Sequence, residues 1–198
     1  MGFDVTAGLA LLVGGHASLA VCCGLYLAWW QVFFNPSAEK PHGARYAVGA
    51  ACIVGAAVLG IAGVTLCVLG VQGLLPPEAR GAALGGIVGC GVALYIVLLT
   101  GTVKLFKRPV TTELLLFMAW AALELGVLSV LHGAGLMSAP FALGLAALAV
   151  AVLLASLVCY VRYYRLEAWP AYVAGIIPLA ASGAFAVAMT AVLALMFG

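Results

Sequence analysis

Six apolar segments, each long enough to cross a lipid bilayer, occupy most of this 198-residue chain. A transmembrane helix needs about 20 residues, because the hydrocarbon core is roughly 30 Å thick and an α-helix rises about 1.5 Å per residue. Only 7% of the residues are charged, against about a quarter in a soluble domain. We therefore predict an all-α integral membrane protein, a bundle of six transmembrane helices that forms a single domain over residues 1–198. The predicted helices lie near residues 5–33, 45–73, 82–104, 114–136, 141–163 and 172–197.

Basic residues mark one side of the predicted membrane. Seven of the eight lysines and arginines lie at the first, third and fifth connections, and Arg80 alone lies on the other side. Cytoplasmic loops carry such an excess, so we predict that both termini are outside and that the membrane is a prokaryotic inner (plasma) membrane. Aromatic residues cluster at the same helix ends, as they do in an interfacial belt. The seven basic residues are Lys40, Arg45, Lys104, Lys107, Arg108, Arg162 and Arg165.

Two groups among these basic residues are also predicted to contact membrane lipids. Lys104, Lys107 and Arg108 follow helix 3, and Arg162 and Arg165 follow helix 5. A basic residue near an anionic membrane surface contributes about 1 kcal/mol to lipid attraction. Their role in setting topology would also account for them. A net charge of +2 spread along the membrane edges gives no reason to expect a nucleic-acid partner.

The odd-numbered helices share a faint pattern, in which a tyrosine is followed by a basic or aromatic stretch and then a proline. Tyr26, Tyr95 and Tyr160 are separated by 69 and 65 residues, a spacing that would fit three tandem helical hairpins. The alternative is that each cytoplasmic helix end needs an aromatic residue, a charge and a helix breaker, which produces the pattern without duplication.

Glycine and proline positions suggest how the helices pack. Gly81, Gly85 and Gly89 recur at every fourth residue of helix 3 and would form a smooth ridge that lets another backbone approach closely. We predict that this ridge packs within the chain and makes helix 3 central, with a homo-oligomer interface as the alternative. Pro178 inside helix 6 removes one backbone donor and should kink the helix, either as a hinge or as a static bend.

Three ionisable residues lie within predicted helices and away from their ends: His16 in helix 1, and Glu124 and His132 in helix 4. A charged residue at the bilayer centre costs roughly 2.5 to 3.5 kcal/mol on insertion scales, so such residues are functional-site hypotheses. Helical rise puts His16 about 17 Å from the outer surface, Glu124 about 18 Å and His132 about 6 Å. We therefore predict a mid-membrane pair of Glu124 and His16, reached from outside through His132, with Trp120 one turn below Glu124.

Such a pair is suited to binding a proton, a cation or a small solute. Burial disfavours the charged forms of both groups whereas pairing favours them, so the pair can exchange a proton near neutral pH. The alternative is that Glu124 makes one hydrogen bond, to a histidine or a hydroxyl group, and only holds two helices together.

Three classes of function follow from these features. Our first choice is a small transporter or channel-like protein, proton- or cation-linked, with Glu124 and His16 as its central site. The second is a redox membrane subunit that holds haem b through His16 and His132, although their different depths do not suit a haem between two helices. The third is a non-catalytic subunit or assembly factor.

Enzymatic activity is not expected. The sequence has no HExxH, GxSxG, phosphate-loop or paired acidic motif of the kind that holds magnesium. Its six cysteines all fall within predicted helices and form no CxxC motif, so we expect neither a metal site nor a disulfide framework.

Overall fold

The structure, a computed structural model, describes residues 5–106 and 112–196. All six helices in this part of the chain are apolar and long enough to span a membrane. The predicted all-α membrane bundle is therefore confirmed. The helices are α1 (Val5–Phe34), α2 (Gly43–Leu74), α3 (Pro77–Phe106), α4 (Thr112–Gly133), α5 (Ala139–Tyr163) and α6 (Ala168–Leu195).

Local backbone chemistry explains where two helix ends differ from the prediction. α3 begins at Pro77, because proline suits a first turn whose N–H groups have no partner within the helix. α4 ends at Gly133. Just beyond it, Gly135 has a φ of +73°, and the amides of Gly135 and Leu136 donate to the carbonyls of His132 and Leu131 at 2.9 and 3.0 Å. This is the Schellman arrangement, which ends a helix.

Five of the helices form a closed ring. α1 packs against α2 and α6, α6 packs against α5, α5 against α4, and α4 against α2. Each of the three predicted hairpins, α1–α2, α3–α4 and α5–α6, packs internally, while their tandem duplication stays a prediction. The main hydrophobic core lies inside the ring and includes the fully buried Leu12, Val127, Leu131, Met189 and Leu193.

α3 lies outside this ring, which corrects the prediction that helix 3 is central. Among the described residues it packs closely against α4 alone, and Ile87 makes this contact by covering Gly126. Ile87 is on the opposite side of α3 from the predicted glycine ridge, because two residues turn a helix by about 200°. A Cβ atom added to Gly81, Gly85 or Gly89 would meet nothing within 4 Å. The ridge therefore faces away from the rest of the chain.

Different glycines make the closest helix contact, between α1 and α2. A Cβ atom at Gly15 would lie 3.0 Å from the Gly63 carbonyl oxygen, and one at Gly70 would lie 2.9 Å from the Gly8 carbonyl oxygen. The two glycines on each helix are seven residues apart, which keeps them on one face because seven residues make about two turns. Small residues at such an interface let the two backbones touch. This contact fixes the position of α1 and of the functional groups that it carries.

Candidate functional site

His16 and Glu124 meet at the centre of the bundle. His16 Nε2 and Glu124 Oε2 are 3.0 Å apart and share a hydrogen bond. Both side chains are fully buried, with 0% exposure. The bond joins α1 to α4, two helices that are not neighbours in the ring. The structure thus brings together the two residues that helical rise had put at the same depth, and their functional role stays a prediction.

The other ring nitrogen of His16 limits where the protons can be. Nδ1 donates to the Leu12 carbonyl oxygen at 2.8 Å. Because a carbonyl only accepts, Nδ1 carries a hydrogen. Cys67 Sγ lies 3.7 Å from the same nitrogen. The proton between His16 and Glu124 then has two positions, on Nε2 as an ion pair or on Oε2 as a neutral pair. Both have zero net charge, which suits a site without water because an unpaired buried charge is costly.

Two buried polar atoms keep unused hydrogen-bonding capacity. Glu124 Oε1 and Ser182 Oγ have no hydrogen-bond partner within the described part of the chain. Other hydroxyl groups in these helices behave differently: those of Ser156 and Thr190 donate to the carbonyl four residues earlier, at 2.7 and 2.8 Å. Ser182 lies on α6, next to Gly183, where an added Cβ atom would be 3.1 Å from the Cβ atom of Cys23 on α1. One oxygen of the Glu124 carboxyl group and one hydroxyl group on α6 therefore remain available to form further hydrogen bonds.

Trp120 and Pro178 connect this region to α6. Trp120, one turn before Glu124, packs edge to face against Phe185 of α6, with ring centroids 5.4 Å apart. Pro178 is buried inside α6, which continues as a helix on both sides of it. Before the proline, α6 is fastened to α1: Trp30 donates from Nε1 to the Tyr172 carbonyl oxygen at 3.2 Å. Pro178 thus separates a fastened segment of α6 from the segment beside the His16–Glu124 pair, and its role as a hinge stays a prediction.

His132 makes a contact of its own near the end of α4, and the predicted track from the outside through His132 to the pair stays a prediction. Its Nδ1 donates to the Met137 carbonyl oxygen at 3.0 Å, across the turn between α4 and α5. Leu128 lies one turn from both Glu124 and His132 and is buried. The imidazole of His132 fastens the end of α4 to the turn that follows it.

Three of the predicted lipid-contacting residues lie at or just beyond the basic ends of described helices. Lys104, Arg162 and Arg165 are exposed there, and lipid contact stays a prediction for them. Lys107 and Arg108 fall outside the described residues.

Sequence reasoning missed Cys67 and Ser182. Both residues are uncharged and small, so neither changes the hydropathy of its helix. Cys67 lies between Gly63 and Gly70, whose seven-residue spacing is the signal that could have placed α2 against α1. Ser182 follows Pro178 by four residues, but this spacing gives no signal that its hydroxyl group is buried.

Fold and site together define the class: this is a six-helix integral membrane protein with a buried histidine–glutamate pair. Across residues 5–106 and 112–196, no three His, Cys, Asp or Glu side chains are grouped so that they could hold a metal ion. No protein-family model, curated protein or solved structure matches this chain.

Proposed function

We propose that this protein is a small proton-linked transporter of a prokaryotic inner membrane, with its termini outside, and that the His16–Glu124 pair binds and releases the proton. The observation that carries the proposal is the complete burial of this hydrogen-bonded pair in the middle of the bundle. Ionisable residues within membrane helices are costly and commonly mark proton or ion pathways.

In this proposal, charge balance couples the movement of a proton to the movement of a cation. With the shared proton in place, the pair is neutral and tolerates burial. Loss of that proton would leave a net negative charge in a low-dielectric core, which is costly. The proton therefore leaves only when water reaches the site or when a cation replaces it beside the Glu124 carboxylate. Exchange of a proton for a cation follows naturally, because either occupant restores neutrality.

Access to the pair would come from α6. In the proposed cycle, the segment beyond Pro178 moves relative to the segment that Trp30 fastens to α1. The incoming cation or water would meet Glu124 Oε1 and Ser182 Oγ, the two buried atoms with unused hydrogen-bonding capacity within the described residues.

A flux assay in proteoliposomes tests this proposal. A pH-sensitive dye inside the vesicles reports proton movement after outward gradients of sodium, potassium, ammonium and larger organic cations are applied in turn. We expect at least one cation to drive proton uptake and Glu124→Gln to abolish it. Glu167→Gln is the matched control, because Glu167 is an exposed carboxylate outside the bundle core. Proton flux and pH dependence that survive Glu124→Gln would refute the proposal.

Infrared spectroscopy adds a test that needs no substrate. The infrared bands that disappear in Glu124→Gln or in His16→Gln identify the pair, and at least one of them is expected to change in intensity with pH when the protein is in lipid vesicles. His132→Gln should leave this titration unchanged, whereas His16→Gln should shift it. If neither the Glu124 bands nor the imidazole bands of His16 respond to pH, the pair does not bind a proton and the proposal is wrong.

The geometry of His16 does not favour the haem alternative. Nδ1 is bonded to the Leu12 carbonyl and Nε2 to Glu124. An iron atom would therefore have to displace one of these partners.

A membrane subunit that packs against another chain is the second candidate function, and the position of α3 favours it. This helix has no buried residue in its spanning part. Its ridge of Gly81, Gly85 and Gly89 has open space around it. Purification in a mild detergent, followed by native mass measurement, distinguishes a monomer, a homo-oligomer and a complex with a different protein.

A further inference from the structure

A groove of about 450 Å³ opens between α5 and α6 at their connected ends. We propose that this groove binds one anionic phospholipid of the surrounding bilayer, with an acyl chain between the two helices and the phosphate at Arg162. The lining includes Val158, Cys159 and Arg162 of α5, and Trp169, Val173 and Ile177 of α6.

The apolar part of the groove has the direction and exposure that an acyl chain requires. Trp169, Val173 and Ile177 recur at every fourth residue and share one face of α6. They extend about 12 Å along the helix axis, from the basic end of the bundle towards its middle. Val158 and Val173 are 54% and 47% exposed on the groove walls. In a chain that spans a membrane, such an outward-facing apolar surface is in contact with lipid tails.

The polar end of the groove has the charge that a phosphate requires. Arg162 is exposed on the last turn of α5, and Arg165 follows in the connection. The salt bridges formed among the described residues include neither of them. Glu167, the N-cap of α6, is the one carboxylate in this connection and makes no side-chain cap hydrogen bond. Two guanidinium groups against one carboxylate leave a net positive charge, and arginine binds phosphate through two parallel hydrogen bonds.

The N-terminus of α6 also favours binding of an anion at this end of the groove. The first N–H groups of a helix lack partners within the helix and carry a partial positive charge, so they favour an anion. Trp169 lies in this first turn and lines the groove. Tryptophan prefers the headgroup level of a bilayer, so the groove mouth and the phosphate layer are expected at the same height.

Native mass spectrometry of the detergent-purified protein tests the proposal with defined lipids. Phosphatidylglycerol and phosphatidylcholine of identical acyl chains are titrated in parallel. We expect one phosphatidylglycerol to bind more tightly than phosphatidylcholine, and Arg162→Gln to weaken its binding about fivefold, the effect of removing one basic charge near an anionic group. Arg80→Gln, at the opposite end of the bundle, is the matched control and should have no effect.

A second variant tests the groove itself. Val173→Trp adds bulk on a half-exposed wall, so it should fill the groove without disturbing the core, and loss of the single bound lipid is expected. Circular dichroism and thermal melting show whether each variant is folded. Equal weakening by Arg162→Gln and Arg80→Gln would mean that lipid binds to any basic edge, and the proposal would be wrong. Unchanged phosphatidylglycerol binding in Val173→Trp, or equal affinity for both lipids in the wild type, would also overturn it.

Discussion

Replacing His16 and Glu124 separately and together would measure how much their hydrogen bond stabilises the fold. In His16→Leu, neither carboxyl oxygen of Glu124 retains a partner, because only Oε2 is bonded within the described residues. In Glu124→Leu, the Nε2 atom of His16 is left buried and unpaired. An unsatisfied buried polar group costs about 1–3 kcal/mol. We therefore expect each single change to lower the free energy of unfolding by about that amount.

The double variant should cost less than the sum of the two single changes. His16→Leu with Glu124→Leu removes both polar groups and places apolar side chains between α1 and α4. Replacing a buried polar pair by apolar residues of similar volume is often neutral or stabilising. The Leu12 carbonyl oxygen loses its hydrogen bond to the imidazole but keeps its backbone partner in α1, so this loss changes the free energy of unfolding only slightly. The expected coupling energy is about 1–3 kcal/mol.

The size of this coupling also distinguishes the two proton positions. Interhelical hydrogen bonds in membranes contribute about 0.6 kcal/mol on average and at most about 1.7 kcal/mol. Breaking a buried ion pair costs about 3–5 kcal/mol. A coupling below about 2 kcal/mol would indicate the neutral pair, with the proton on Oε2. A coupling above about 3 kcal/mol would indicate the ion pair, with the proton on Nε2.

Reversible unfolding in mixed detergent micelles, followed by circular dichroism, provides the free energies. The control cycle combines Glu124→Leu with Ser156→Ala. Ser156 is buried on α5 and bonds the Val152 carbonyl of its own helix, so these two changes should add within about 0.5 kcal/mol. If His16→Leu and Glu124→Leu also add within that limit, the two side chains do not interact and the geometry of the site is wrong.

Three further predictions concern helix packing, Pro178 and Ser182. Gly15→Ala should lower the free energy of unfolding by about 1–3 kcal/mol, because the added Cβ atom would lie 3.0 Å from the Gly63 carbonyl oxygen. Gly85→Ala is the control and should be neutral or stabilising, because a Cβ atom there meets open space. Equal effects of the two changes would contradict the α1–α2 contact. Pro178→Ala should slow proton–cation exchange severalfold while preserving the fold, and unchanged flux would identify a static bend. Ser182→Ala should leave the melting temperature unchanged or higher, because the hydroxyl group makes no hydrogen bond within the described residues, and a clear loss of stability would show that it has a partner.

Some of this structure could be predicted because the determining information is local. The length and apolarity of a span are properties of about 20 consecutive residues, so hydropathy was sufficient to predict six helices. Two bounds differed where a single residue changed the backbone, at Pro77 and Gly135, and α6 begins at Ala168, earlier than hydropathy indicated. The depth of a residue in the membrane is also a local property, because it depends only on the position of the residue within its own helix. Helical rise alone put His16 and Glu124 at the same level, and in the structure their side chains are 3.0 Å apart.

Helix order could not be predicted in the same way. Gly81, Gly85 and Gly89 have the spacing of a packing ridge, yet the close backbone contact uses Gly15 and Gly63 on other helices. Regular spacing establishes only that small residues share a face. Whether that face meets a neighbour depends on the order of helices around the ring, which is a property of the whole chain. The position of α3 outside the ring follows from that order and has no local signal.

His132 shows that the angular position of a residue around its helix is also insufficient to predict the partner of its side chain. It lies about 80° around α4 from Glu124, close enough to suggest a shared path. The turn after α4 nevertheless engages its imidazole through the Met137 carbonyl oxygen. The partner of a side chain near a helix end depends on the loop that follows, whose conformation hydropathy does not encode.

The composition of the core gives the strongest physical reason to assign a function to the remaining pair. The bundle core that encloses His16 and Glu124 consists mainly of apolar side chains, with Cys67 beside the His16 imidazole. Apolar residues of similar volume could fill the same space without the desolvation cost of two ionisable groups. A hydrogen bond between neutral groups in a membrane contributes about 1 kcal/mol, which does not offset that cost. Stability alone therefore gives no reason for this pair, and this supports the proposed proton-binding role, because that role requires a group that can gain and lose charge where the surroundings make charge costly.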